Sequence, residues 1–255
     1  MLKKTLLATA SLVAFGGAAL AADLPTRKAA PVYVPVAPAF TWTGAYFGVN
    51  AGGVFSHNKA NIFGQGPATI AAVTRGVVPG SASLNKSGFI GGVQAGYNWQ
   101  SGMFVTGVEA DINYVDAKKS ASYLGSTGMV STLSSDLRWL GTARMRAGVA
   151  IDRLFVYGTG GLAFGDVKNA ASIYAFNGGP LAYWGSKSQV RAGWTLGAGA
   201  EYAITNNLTV KGEYLYYSLG KKTVAVNPST AVGSNFGAKF KNDGHIVRAG
   251  LNWKF

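Results

Sequence analysis

Along most of this chain apolar residues alternate one by one with polar or small ones, the period of a β-strand whose two faces meet different surroundings. In segment 89–100 one face reads Phe89, Gly91, Val93, Ala95, Tyr97 and Trp99, and the other Ile90, Gly92, Gln94, Gly96, Asn98 and Gln100. The pattern returns in segments 104–114, 137–149, 190–204, 208–216 and 245–255. Segments 41–54 and 154–167 have strand composition too, but their glycines leave open which residues face which side. Together these segments predict eight strands.

The charges test the phase independently, because a slip of one residue carries every side chain to the other face. Glu109 and Asp111 share one parity, as do Arg138, Arg144 and Arg146, Arg191 and Glu201, Lys211 and Glu213, and Arg248 and Lys254. Random placement gives such agreement roughly one time in 64, and each time the charged parity lies opposite the apolar face. An Arg or Lys facing hydrocarbon near the bilayer midplane costs about 2–4 kcal/mol, whereas a water-soluble barrel turns its charges outward. The partition therefore predicts an all-β fold, an eight-stranded antiparallel up-and-down transmembrane β-barrel.

Short turns are expected at Ser101-Gly102, Asp152-Arg153 and Thr205-Asn206-Asn207, and long connections at 55–86, 116–135, 168–187 and 222–241. The alternation implies short periplasmic turns, long outer loops and both termini in the periplasm. Pro67, Pro79, Pro180 and Pro228 all fall in the long connections, where no ladder needs their missing N–H. Aromatics such as Trp99, Phe104, Tyr202, Trp253 and Phe255 collect at the expected periplasmic ends. Phe89, Tyr114, Trp139 and Tyr216 collect at the outer ends, as interfacial girdles do.

The inward charges are the best candidates for a functional constellation: Glu109, Asp111, Arg138, Arg144, Arg146, Arg191, Glu201, Lys211, Glu213 and Arg248. A turn centred on Asn206 sets Glu201 across from Lys211 and Gly199 across from Glu213, while Glu109 and Arg144 lie at similar heights on neighbouring strands. The interior of an eight-stranded barrel is only wide enough for side chains, so the network reads first as a neutral filling. A gated polar pathway for small solutes is the alternative.

Composition narrows the setting. Met1-Leu2-Lys3-Lys4, an uncharged run to Leu20 and the triplet Ala19-Leu20-Ala21 have the layout of a secretory signal peptide over 1–21. A Pro/Ala-rich linker is expected over 22–40 and the barrel over 41–255. The uncharged stretch 29–58 is too rich in Pro and Gly to span a membrane as a helix, and no cysteine is present for a disulfide or thiolate metal site. The net charge of +13 becomes +11 without Lys3 and Lys4, and export points it toward a membrane surface or anionic saccharide rather than nucleic acid. Lys86, Lys118, Lys119, Lys187, Lys221, Lys222, Lys239 and Lys241 are placed to meet lipopolysaccharide phosphates at the outer rim. The two histidines, His57 beside Ser56 and His245 near Asp243, form no triad that spacing alone can place, so neither catalysis, metal nor cofactor is expected.

The opening Trp42-Thr43-Gly44-Ala45-Tyr46-Phe47-Gly48-Val49-Asn50-Ala51-Gly52-Gly53 resembles the small outer-membrane proteins of alphaproteobacteria, the RopB-type branch of the OmpA-like barrels. The final segment is similar to the terminal strand of that group. There the closing aromatic and the alternating apolar residues before it are read by the barrel assembly machinery, a role the resemblance gives here to Val247, Ala249, Leu251, Trp253 and Phe255. It also implies an abundant structural protein of the outer membrane, without the peptidoglycan-binding domain of longer relatives. A small passive porin, or a surface receptor or adhesin for haem or host surfaces, is the alternative role.

Overall fold

In the computed structural model residues 40–229 and 235–255 are described, with the side chains of residues 57–59, 84, 86, 118 and 119 left aside. The signal peptide and nearly all of the linker expected from the sequence lie outside the described residues, as do the side chains of Lys86, Lys118 and Lys119. Among the described residues eight antiparallel strands close a ring in chain order. They are β1 (Gly44–Gly64), β2 (Ser81–Ser101), β3 (Phe104–Leu124), β4 (Val130–Ile151), β5 (Leu154–Tyr174), β6 (Leu181–Ala203), β7 (Leu208–Pro228) and β8 (Phe236–Lys254). β8 returns to β1 in two stretches of register, Tyr46↔Lys254 to Phe55↔His245 and Ala60↔Phe240 to Gly64↔Phe236, which closes the ring.

The short turns fall where the sequence expects them, and Gly102 (φ 61°) and Asp152 (φ 49°) take the left-handed conformation that such turns need. The long connections do not survive as loops. A strand such as β1 runs for 21 residues, roughly 70 Å at about 3.3 Å per residue, where a bilayer needs only about 9–11 residues. Most of segments 55–86, 116–135, 168–187 and 222–241 is strand, and what remains at the far end is four connections starting after Gly64, Leu124, Tyr174 and Pro228. The first holds a short helix, α1 (Pro67–Thr74), opened by Pro67 and steadied by Thr69, whose hydroxyl oxygen accepts from the Gly66 and Gln65 N–H groups at 3.1 Å. Pro228 is the last residue of β7 rather than a loop residue.

The facing of the two ambiguous strands is settled by burial. Even residues of β1 point inward, from Tyr46 and Asn50 to Val54, Ser56, Ala60 and Ile62. In β5 the odd residues do so, from Phe155 and Tyr157 to Val167, Ala171 and Ile173. Among the register shifts, two reverse the facing within a strand. β4 carries one extra residue against β5 between Leu137 and Trp139, and β7 carries one against β8 between Ser218 and Lys221, where Gly220 has φ 71°.

Inside and outside exchange character along the barrel. In the half with the short turns the outer face is apolar, with Phe47, Val49, Val93, Ile112, Met145, Leu196 and Leu251 exposed. Aromatic bands bound that face, Trp99, Phe104, Tyr202, Trp253 and Phe255 at one level and Phe89, Tyr114 and Trp194 at the other. Beyond the second band the outer face turns polar, with Ser83, Asn85, Ser87, Ser120, Ser122, Ser188, Thr223 and Lys239 exposed. There the interior becomes a dry core of Ala60, Ile62, Leu133, Ile173, Val224, Val226, Phe236 and Phe240, against which Ala72 and Val73 of α1 pack.

Candidate functional site in the barrel lumen

The floor of the lumen is aromatic. Trp42, just before β1, packs on Phe155 at 5.4 Å and on Phe40 at 5.1 Å, and Val105, Ala150 and Ala203 complete the layer. The Nζ of Lys254 lies 5.5 Å above the Phe40 ring, so this predicted inward charge closes the barrel end instead of joining the network above.

Above the floor lie four carboxylates, Glu109, Asp111, Glu201 and Glu213, and four cations, Arg144, Arg146, Lys211 and Arg248, all buried. Glu109 is the hub. Its carboxylate accepts from Lys211 Nζ at 2.8 and 2.9 Å, from Arg144 Nη2 at 2.5 Å and from the Tyr46 hydroxyl at 2.8 Å. Arg144 bridges onward, donating to Asp111 at 3.0 Å and to Glu213 at 2.9 Å. Arg248 donates twice to Glu213 Oε2, at 2.9 and 2.7 Å, and once to Asp111 at 3.0 Å. Arg146 donates to Glu201 at 3.0 Å and lies against the rings of Tyr46, Tyr157 and Phe155 at 4.7, 5.1 and 5.3 Å. Equal numbers of opposite charges let eight ions sit out of water, because each meets at least one counter-charge at hydrogen-bonding distance.

The turn-based registers are those observed: Glu201 opposes Lys211, Gly199 opposes Glu213, and Glu109 opposes Arg144. Opposition does not decide pairing, however. Lys211 reaches across the lumen to Glu109, and Glu201 instead takes Arg146, Thr209 and Asn252. Tyr46 and Tyr157 are network members that charge patterning could not reveal; Tyr157 donates to Glu213 at 3.2 Å.

Two predicted members are corrected. Arg138 is the extra residue of the β4 bulge, which turns it to the outer face, where it is exposed and paired with Asp166. The parity that places Arg144 and Arg146 inward does not extend through a bulge. Arg191 lies above the outer aromatic band, half-buried, with Nη2 donating to the Lys221 carbonyl at 3.3 Å.

Over the charges sits an apolar layer of Val54, Ile90, Val115, Leu137, Leu140, Leu215, Leu219 and Ile246. The dry core of the far half lies beyond it. His245 and Asp243 do not form a dyad: His245 Nδ1 is 2.7 Å from the Tyr214 hydroxyl, while Asp243 accepts from Tyr216 and Ser218 at 2.9 Å and pairs with Lys241 at 2.6 Å. Ser56 donates to the Asp243 backbone carbonyl at 2.6 Å, and the His57 side chain lies outside the described residues. Among the described residues no group of three His, Cys, Asp or Glu side chains is arranged to hold a metal.

Of the predicted rim lysines, Lys187, Lys221, Lys239 and Lys241 are exposed, and Lys222 is half-buried on the other face of its strand. Val247, Ala249, Leu251, Trp253 and Phe255 line the outer face of the closing strand.

A closed antiparallel ring with a lipid-compatible belt outside and ions inside defines a membrane-spanning β-barrel. The chain belongs to the family of outer membrane protein beta-barrel domains, whose family model matches residues 7–255. It is 40% identical to the 31 kDa outer-membrane immunogenic protein of Brucella melitensis, over the whole of both chains. It is 34% identical to the 22 kDa outer membrane protein of Rhizobium leguminosarum over 71% of this chain and 66% of that one. Among solved structures, the outer membrane protease OmpT from Escherichia coli aligns with TM-score 0.48 and 12% identity over 86% of this chain and 99% of that chain. The relatives place the protein in the outer membrane, and their names describe immunogenic outer-membrane proteins rather than enzymes.

Proposed function

We propose that this chain is a non-catalytic, eight-stranded up-and-down barrel that strengthens the outer membrane and holds lipopolysaccharide phosphates at its outer rim. The short turns and both termini face the periplasm, and the long strand extensions stand outside the cell. One observation carries the lipid reading: a row of cations just beyond the outer aromatic band. Lys221 of β7 lies directly opposite Lys241 of β8, Lys239 follows opposite Thr223, and Arg191 reaches the Lys221 carbonyl. Like charges opposed across a ladder repel, so the row is stable when an anion lies over it. Asp243 neutralises only part of it, and by pairing with Lys241 holds that ammonium protonated above the usual lysine range.

The layers of the lumen support a structural role over a pore. A solute would have to pass the aromatic floor, a self-paired ionic layer and two apolar layers. In planar bilayers the pure protein is expected to give low or no conductance, and stable large steps would overturn that part of the reading.

The lipid reading is tested by thermal unfolding in vesicles containing lipopolysaccharide, dephosphorylated lipopolysaccharide or phospholipid alone. Phosphorylated lipopolysaccharide should raise the Tm of the native protein but not that of a Lys221→Gln, Lys239→Gln, Lys241→Gln triple variant. Equal shifts for both proteins sink the proposal.

A further inference from the structure

The ladder between β6 and β7 is interrupted. β5 and β6 stay paired from Leu154↔Tyr202 up to Tyr174↔Leu181, but the β6–β7 ladder stops at Trp194↔Ser218 and resumes only at Trp184↔Asn227. Between those points β6 has a partner on one side only. A Cβ at Gly193 would run into the Ser218 carbonyl and one at Gly185 into the Ala225 carbonyl, so at both ends of the seam glycine allows β7 to come close. In the middle β7 turns inward: Leu219 is buried in the apolar layer, near enough to crowd a side chain at Gly165 of β5, and Gly220 makes the bulge.

What remains is a free strand edge. Residues 186 to 190 are all exposed, on both faces. Segment 186–192 reads Ser-Lys-Ser-Gln-Val-Arg-Ala, without proline, and offers a line of N–H and C=O groups that β7 does not take. Its charge is one-sided. Lys187 and Arg191 lie on it and Lys221 lies across the seam; the acid nearest in register, Asp166 opposite Val190, is occupied by Arg138 and Ser188.

We propose that segment 186–192 of β6 accepts an extended acidic segment of another protein, which adds to the sheet as a strand. Strand addition draws its affinity from main-chain hydrogen bonds and its selectivity from the flanking side chains. A second copy of this chain is a poor occupant, because antiparallel self-pairing about Gln189 sets Lys187 of one copy against Arg191 of the other at both ends. An incoming strand with carboxylates at alternate positions meets cations instead. That the edge is reached from outside the cell rests on the outward orientation of the strand extensions; strand addition itself does not.

The experiment uses the full-length mature barrel in lipid nanodiscs and a nine-residue peptide alternating valine and glutamate as probe. Backbone amide exchange, read residue by residue by NMR, should slow by about tenfold or more at alternate positions of 186–192 when the peptide is bound. A peptide N-methylated along one edge, and one with lysine for glutamate, should each bind about tenfold more weakly. A Lys187→Glu, Arg191→Glu variant should reverse the preference between the glutamate and lysine peptides. Equal binding of the N-methylated peptide, or binding without protection at 186–192, means surface charge alone and overturns the proposal, as does no binding at millimolar peptide. Since the chain has no cysteine, Lys187→Cys labelled on intact cells by an impermeant maleimide reads the orientation separately. Absence of labelling there, with strand addition intact in nanodiscs, overturns the outward orientation alone.

Discussion

The two halves of this barrel are built from the same strands and the same alternation, yet they solve opposite solvation problems. Between the aromatic bands the wall shows Val49, Val93, Ile112 and Leu196 to the outside and Glu109, Arg144, Lys211 and Glu213 to the inside. Beyond the outer band it shows serines and lysines to the outside and Ile62, Leu133, Val226 and Phe240 to the inside. Hydrocarbon around the first half leaves ions no choice but the interior, where they must neutralise one another. Water around the second half restores the ordinary rule, and the interior becomes an apolar core. A strand is therefore not a membrane strand or a soluble strand as a whole; its medium decides, level by level, which face is which.

The comparison can be broken most directly at the ionic layer. Arg144→Met removes the cation shared by Glu109, Asp111 and Glu213 and leaves buried carboxylates in excess, which should cost about 3–5 kcal/mol. Urea unfolding in phospholipid vesicles measures it, and adding Glu213→Gln should recover part of the loss by restoring neutrality. A loss under about 1 kcal/mol would mean that the layer is hydrated rather than self-paired.

Phe240→Ala attacks the other half. This side chain is 1% exposed in the outer core, and its truncation should cost about 3–5 kcal/mol there. The damage should stay local, so that added protease trims the outer extension while the membrane portion keeps its resistance. Uniform digestion would show that the halves do not differ in what holds them.

The sharpest contrast uses one substitution at two heights on the outer face of β3. Val108→Arg places a charge against hydrocarbon and should destabilise by about 2–4 kcal/mol. Ser120→Arg, on the same face beyond the outer band, should change stability by less than about 0.5 kcal/mol. Equal effects at both positions would remove the distinction between the two media.

Much of the membrane half is legible in the residues themselves. Strand phase, the turns at Gly102, Asp152 and Asn206, and the opposition of Glu201 to Lys211 come from alternation and turn chemistry, which are local properties. The outer half was open to the same reading, since Val224 and Val226, or Phe236, Ala238 and Phe240, keep the two-residue period. Serine and lysine between those residues resemble loop composition, and that resemblance hides the strands.

Three features depended on the folded chain. A single inserted residue at Arg138 or Gly220 reverses the facing of the residues on its far side, and bulges are set by what two paired strands require of each other. The partner of each lumen ion is chosen across the barrel: Lys211 finds Glu109 and Arg248 finds Asp111 over separations of 102 and 137 residues. The seam between β6 and β7 exists because β7 turns inward to bury Leu219. The order of residues thus determined which faces seek oil and which seek charge, because each residue's solvation preference is its own. Closing the ring decided who meets whom, because contacts across a lumen are made by side chains that no local spacing relates.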